Sequence, residues 1–107
     1  MTVANGLTMA EMRDLWTEAQ FQSAVVNVAR ARGWGMIYHT QHSLHSAAGF
    51  PDLVMVRGEE LLFAELKSAK GKVKPEQIEW IAALGRTPAR AFIWRPCDWY
   101  EIEEELA

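Results

Sequence analysis

The sequence predicts an α/β fold, a small mixed β-sheet flanked by helices, and three observations point there. Two short apolar runs, Asp52 to Val56 and Leu61 to Lys67, flank the turn Arg57-Gly58-Glu59-Glu60, the pattern of a β-hairpin. A stripe of helical period precedes them, and a helix opened by a proline separates them from one further apolar run. Helices and strands in the order α-β-β-β-α-β-α make a layered domain, with helices laid against a sheet.

Each element has its own signal. Leu15, Ala19, Gln22, Val25, Val26 and Ala29 fall on one stripe, which predicts a single long helix from about Met9 to Arg32, stopped by Gly33. Trp34 to His39 (WGMIYH) reads as a strand, and Thr40 to Phe50, rich in Ser, His and Gly, as a loop. Both strands of the hairpin are apolar on both faces, so the hairpin is expected between two layers. Lys70, Lys72 and Lys74 lie in the basic loop that follows, and Pro75 is suited to the first helical position. The helix runs over Glu76 to Leu84, with Gln77, Ile81 and Leu84 on one face. Ala91 to Trp94 is a last core strand and Trp99 to Leu106 a terminal amphipathic helix. A chain of 107 residues is expected to form one domain over 1–107, with a core at about 9–97 and an acidic helix over 98–107.

Composition narrows the class. Half of the residues are hydrophobic and 23% are charged, a globular balance that excludes a disordered tail or a fibrous repeat. No apolar run reaches the roughly 18 residues of a membrane span, and no basic residue precedes Arg13, so neither a membrane anchor nor an export signal is expected. The single cysteine, Cys97, forbids an internal disulfide and a cysteine-based zinc cluster and fits a reducing cytoplasm. The net charge of -3 is unevenly spread. From Ala19 to Cys97 ten basic residues face six acidic ones, whereas the flanks carry all the remaining acids. A basic body with an acidic tail is compatible with a nucleic-acid partner.

The hairpin brings the informative residues together. Closed on the two-residue turn Gly58-Glu59, it sets Asp52 directly opposite Glu65. Two facing carboxylates destabilise a sheet unless something offsets them, and a divalent cation would. Glu65 and Lys67 are two apart on one strand and share the face of Asp52, giving two acids and an ammonium in one cluster. That layout suits metal-assisted phosphodiester hydrolysis: carboxylates hold Mg²⁺, the metal polarises the phosphate, and the lysine orients water or stabilises developing charge. Taken singly, a Pro-Asp dipeptide is a turn and Glu-Leu-Lys a solvated strand end. Taken together, they are polar exceptions in strands otherwise apolar on both faces, where charges are paired or metal-bound.

The string Gly49-Phe50-Pro51-Asp52, then Phe63-Ala64-Glu65-Leu66-Lys67, then Gln77 on the next helix, resembles the PD-(D/E)xK nuclease signature, and more narrowly the VRR-NUC family of virus-type replication-repair nuclease domains. The resemblance spans roughly Glu18 to Trp94. It implies a restriction-endonuclease-like core in which Asp52 and Glu65 hold Mg²⁺ or Mn²⁺, with the Leu66 carbonyl as a further ligand and Lys67 as the catalytic lysine. It also implies an acid from the first helix, for which Glu18 is the candidate, with Gln22 one turn further along the same face. Gln77 matches the family's helix glutamine, facing water or phosphate beside Lys67. Members that consist of the nuclease domain alone resemble Holliday-junction resolvases, which work as homodimers on branched DNA. The setting that the resemblance implies is the cytoplasm of a bacterial host, with the gene carried by a phage or prophage.

Other residues have blander roles to set beside a functional one. His39, His42 and His45 recur every three residues, yet the run crosses a loop without a further ligand, so zinc is disfavoured; His39 is placed at a strand end near the cleft, and His42 and His45, with Gln41 and Ser43, in a loop that touches DNA. Lys70, Lys72 and Lys74, with Arg86, Arg90 and Arg95, are candidates to track phosphates, and recognition by shape is expected over base reading. Trp16, Trp34, Trp80, Trp94 and Trp99 are core material, with Trp80 or Trp99 a candidate subunit anchor. The expected function is a metal-dependent, structure-specific DNA endonuclease. The rivals are a non-catalytic DNA- or partner-binding module with this fold, and a general nuclease on linear or single-stranded DNA.

Overall fold

A computed structural model of the chain describes residues 6–42 and 45–107; the polar lead up to residue 5 and Ser43 of the loop lie outside the described residues. The elements are α1 (Met9–Asp14), α2 (Glu18–Ala31), β1 (Met36–His39), β2 (Leu53–Arg57), β3 (Glu60–Leu66), α3 (Pro75–Gly85), β4 (Arg90–Trp94), a short 3₁₀ turn (Pro96–Asp98) and α4 (Trp99–Leu106). They form a four-stranded mixed sheet in the order β1-β2-β3-β4, antiparallel except for the parallel pair β3-β4 that α3 connects. This is the small mixed sheet with flanking helices expected from the sequence.

The hairpin register agrees with the reading from the turn. Leu53 pairs with Ala64 and Arg57 with Glu60, so one further step sets Asp52 against Glu65. Gly58 takes φ +57, a left-handed conformation that the two-residue turn needs and that glycine adopts without strain.

One face of the sheet carries the core. Leu53 and Met55 of β2, Leu62, Ala64 and Leu66 of β3 and Trp94 of β4 pack against Phe21, Val25, Val26 and Ala29 of α2 and Ile102 and Leu106 of α4. Each fully buried large aliphatic side chain contributes about 1.5–3 kcal/mol of transfer free energy, so α4 is part of the core and not only a cover for it. Trp34 is wholly buried, donates its Nε1 to the Leu106 carbonyl at 3.0 Å, and lies beneath the Arg57 and Arg90 guanidinium groups. Those arginines also bond main-chain carbonyls of Leu106, Ala107 and Glu105, clasping α4 to β2 and β4 of the sheet. The opposite face, with Phe63 and Glu65, meets α3 over β3 and β4 and stays open towards β1, where Met36, Tyr38 and Leu61 are exposed. The expectation of a hairpin sandwiched between layers therefore holds fully for one face and in part for the other.

Two expectations need correction. The single helix over Met9 to Arg32 is two helices, broken at Leu15–Thr17. Thr17 caps α2, its hydroxyl accepting from the Gln20 amide at 3.1 Å while Gln20 Oε1 accepts from the Thr17 amide at 2.9 Å. Reciprocal bonds of this kind satisfy donors that a continuous helix would bond internally, so they favour a new start. The break takes Leu15 and Ala19 off the buried stripe: both are exposed, and Phe21 fills the place in the core. The first strand is also shorter than predicted. Trp34 turns into the core ahead of β1, through Gly33 in a left-handed conformation at φ +90, and pairing starts at Met36.

Candidate active site

The site lies where β2 begins and β3 ends, on the face that α3 covers. A cleft of about 380 Å³ is lined by Glu18, His42, Ala48, Gly49, Asp52, Glu65, Lys67, Lys74, Glu76 and Gln77. The hairpin register supplies Asp52 and Glu65, and alternation along the strand supplies Lys67 two residues on.

The two carboxylates are held very differently. Asp52 Oδ2 accepts from the Leu66 amide at 2.8 Å, which fixes its orientation from the backbone. Its Oδ1 accepts from His42 Nε2 at 3.2 Å. Glu65, only 2% exposed, receives Gln77 Nε2 on Oε2 at 2.9 Å and has Lys67 Nζ at 3.7 Å from the same oxygen. Its other oxygen, Oε1, is buried without a hydrogen-bond partner. Burial is the main cause that pushes the Glu65 carboxyl up to about 8; the charge of Asp52 and a hydrogen bond shared with it add to the rise, Lys67 opposes it, and Glu18 raises it a little further.

Two loops complete the cleft. Gly49, at φ +83, lets the segment before Pro51 press on the first turn of α3, where a Cβ would fall 2.5 Å from the Glu76 carbonyl carbon. Thr40 Oγ1 donates to the Pro51 carbonyl at 2.6 Å, and Trp80 Nε1 donates to the Ala48 carbonyl at 3.1 Å while its ring meets Phe50 edge to face. On the other side of the site, Arg95 donates to the Ser68 and Ala69 carbonyls, holding the turn that follows Lys67.

The structure therefore brings together Asp52, Glu65, Lys67 and Gln77, with Glu18 and Lys74 on the cleft wall. Gln22 is placed otherwise: its Nε2 donates to His39 Nδ1 at 2.8 Å, and neither residue lines the cleft. His39 pairs with Leu53 in the sheet and so turns to the core face, away from Asp52. Lys70 and Lys72 are exposed in the loop between β3 and α3. Arg90 is engaged with Glu60 and Glu105 and Arg95 with the turn after Lys67, so both serve the fold. Trp80 and Trp99, candidate subunit anchors, pack their rings inside the chain, Trp99 against Trp16. Among the described residues, no three of His, Cys, Asp and Glu stand close enough to close a metal site. Sequence reasoning missed the bond of His42 to Asp52, since nothing in a loop sequence states which residue folds back onto a carboxylate.

The sequence matches the profile of the VRR-NUC domain over residues 8–95. The chain belongs to the VRR-NUC family. It is thus a nuclease-type domain, and the shared fold extends to solved structures. One, described as a VRR_NUC domain protein, is 22% identical with a TM-score of 0.64, over 85% of this chain and 88% of that one. Another, described as a VRR_NUC domain, is 20% identical with a TM-score of 0.67, over 82% of this chain and 94% of that one. A comparison with curated proteins finds no match. Of the described residues, no helix is long and apolar enough to cross a membrane.

Proposed function

We propose that this VRR-NUC domain is a divalent-metal-dependent endonuclease that hydrolyses phosphodiester bonds in branched DNA as a homodimer. The observation that carries the reading is the acid pair Asp52 and Glu65, in which the buried Glu65 Oε1 receives no hydrogen bond and the charged form of Glu65 is disfavoured. A buried acid left so poorly satisfied is costly unless a cation completes it. The donors are hard oxygens, the chemistry that Mg²⁺ and Mn²⁺ prefer.

Asp52, Glu65 and the Leu66 carbonyl are the residues that would hold the ion, with Glu18 acting from the cleft wall. When bound, the cation supplies a Lewis acid for the phosphate and a counter-charge for the two carboxylates. The protein's own residues do the rest. The Leu66 amide holds Asp52 in one orientation, and Gln77 does the same for Glu65. Lys67, almost buried beside Glu65, offers its ammonium to the attacking water or to the charge that develops on the phosphate. Lys70, Lys72, Lys74, His42 and His45 receive the DNA backbone around the cleft.

The chain works as one nuclease domain, α4 included, and Cys97 as a lone thiol suits a reducing cytoplasm. A two-fold dimer would present two sites to opposing strands of a junction, and the exposed Met36, Tyr38 and Leu61 on the open sheet face are apolar surface that a second copy can cover.

The test is a cleavage assay in Mg²⁺, Mn²⁺ and EDTA on a four-way junction, a splayed fork, a linear duplex and a single strand, with Glu65→Ala beside the wild type. Paired, metal-dependent cuts confined to the junction support the reading. Equal cutting of all four substrates makes the protein a general nuclease, and tight binding without cutting makes it a binding module.

A further inference from the structure

We infer that His42 is a latch on the metal site, holding Asp52 Oδ1 in the metal-free protein and yielding that oxygen when a divalent cation loads. The inference rests on the metal-dependent reading above and concerns how the same site fills.

The four carboxylate oxygens of the pair are not equivalent. Asp52 Oδ2 is taken by a backbone amide of β3, and Glu65 Oε2 by Gln77 and Lys67. That leaves Glu65 Oε1, which no donor reaches, and Asp52 Oδ1, which accepts from His42. A group that holds a ligand in place does so best when its own rotamer is locked by packing and further hydrogen bonds. The Leu66 amide already does that work for Asp52. His42 has none of those properties: its side chain is 59% exposed, it belongs to the loop after β1, and its bond of 3.2 Å is at the long end for an N–H donor. A cation on Oδ1 puts positive charge where the imidazole N–H now points, so the two compete for one oxygen.

Competition has a reciprocal consequence. Whatever His42 takes from the ion's affinity, the ion takes from His42's hold on Asp52. Once released, the imidazole stands at the mouth of the cleft with Lys74, where a DNA phosphate can accept its hydrogen bond. Metal loading and DNA binding are therefore coupled through this side chain, each favouring the other.

The experiment is Mn²⁺ binding to the whole chain without DNA, read from the paramagnetic resonance of free Mn²⁺ in one buffer for every variant. Wild type, His42→Ala, His42→Gln and Glu65→Ala are compared. His42 is exposed, so its replacement leaves the fold intact. Loss of one exposed hydrogen bond to a carboxylate predicts that His42→Ala binds Mn²⁺ about threefold to tenfold more tightly, with His42→Gln, whose amide can still donate, in between. In the wild type, titration with Mg²⁺ should shift the His42 ring resonances as the ion loads. Equal or weaker binding by His42→Ala, with binding abolished in Glu65→Ala, overturns the latch and leaves the metal site standing. No Mn²⁺ binding by the wild type overturns the metal-dependent reading and the latch together.

Discussion

Gln77 ties Glu65 to the start of α3: its Nε2 donates to Glu65 Oε2 at 2.9 Å while its Oε1 accepts from the Lys74 amide at 2.9 Å. One side chain thus caps a helix and holds a buried acid. Replacement by glutamate keeps the cap but removes the donor and adds a like charge beside Glu65. Gln77→Glu is expected to lower the cleavage rate about tenfold to a hundredfold with helix content unchanged, because the acid pair loses its orientation and gains repulsion. Rate and circular dichroism measured on the same preparation check both halves.

Glu65 makes the metal-free protein sensitive to pH. Its carboxyl titrates near 8 in the fold against an ordinary value of 4.5, so the folded state holds a proton that the unfolded chain releases. The stability contributed by the protonated group is fully present below about pH 4.5 and is lost as pH rises through about 8. In EDTA, the urea midpoint of the wild type should fall between about pH 5 and 8, and Glu65→Gln, which cannot ionise, should flatten that fall. Equal slopes for the two proteins would show that burial of Glu65 does not set the trend.

How legible the site is from sequence depends on how local its geometry is. Asp52 and Glu65 can be paired on paper because a two-residue turn sets the register of everything between them, and because charges stand out in apolar strands. The break between α1 and α2 is written in Thr17-x-x-Gln20, yet the stronger helical stripe masks it. Gln22 lies on the expected helix face, but α2 packs on the core face of the sheet, where His39 takes its amide, and no spacing rule states which face a helix will cover. The bond of His42 to Asp52 depends on the path of a loop, which periodicity does not address.

Gly49→Ala tests the close approach that shapes the cleft. The position has φ +83, and the added Cβ would meet the Glu76 backbone at 2.5 Å, so both strain and a clash oppose it. A loss of about 1–3 kcal/mol in unfolding free energy is expected. Denaturant unfolding measures it, and a loss below about 0.5 kcal/mol, the scale of an ordinary surface substitution, would mean that the loop and α3 separate freely.

The lysines between β3 and α3 test how DNA is gripped. Lys70, Lys72 and Lys74 all become neutral in the triple glutamine variant. If they neutralise phosphates, the dependence of log binding constant on log salt should become shallower by about 0.9 for each lysine that had paired with a phosphate of duplex DNA. The same slope in both proteins would make the loop a solvated bystander. Binding in Ca²⁺ at several salt concentrations separates the outcomes.

The bond from the Leu66 amide to Asp52 Oδ2 has one more consequence. This proton is held by the carboxylate across the hairpin, so it can exchange with deuterium only when that carboxylate swings away or the hairpin opens. Its exchange rate is a clock for the seating of Asp52 across the hairpin, read from a single resonance in the resting protein. A preparation with slow exchange at Leu66 has Asp52 in place before any substrate, ion or partner is added.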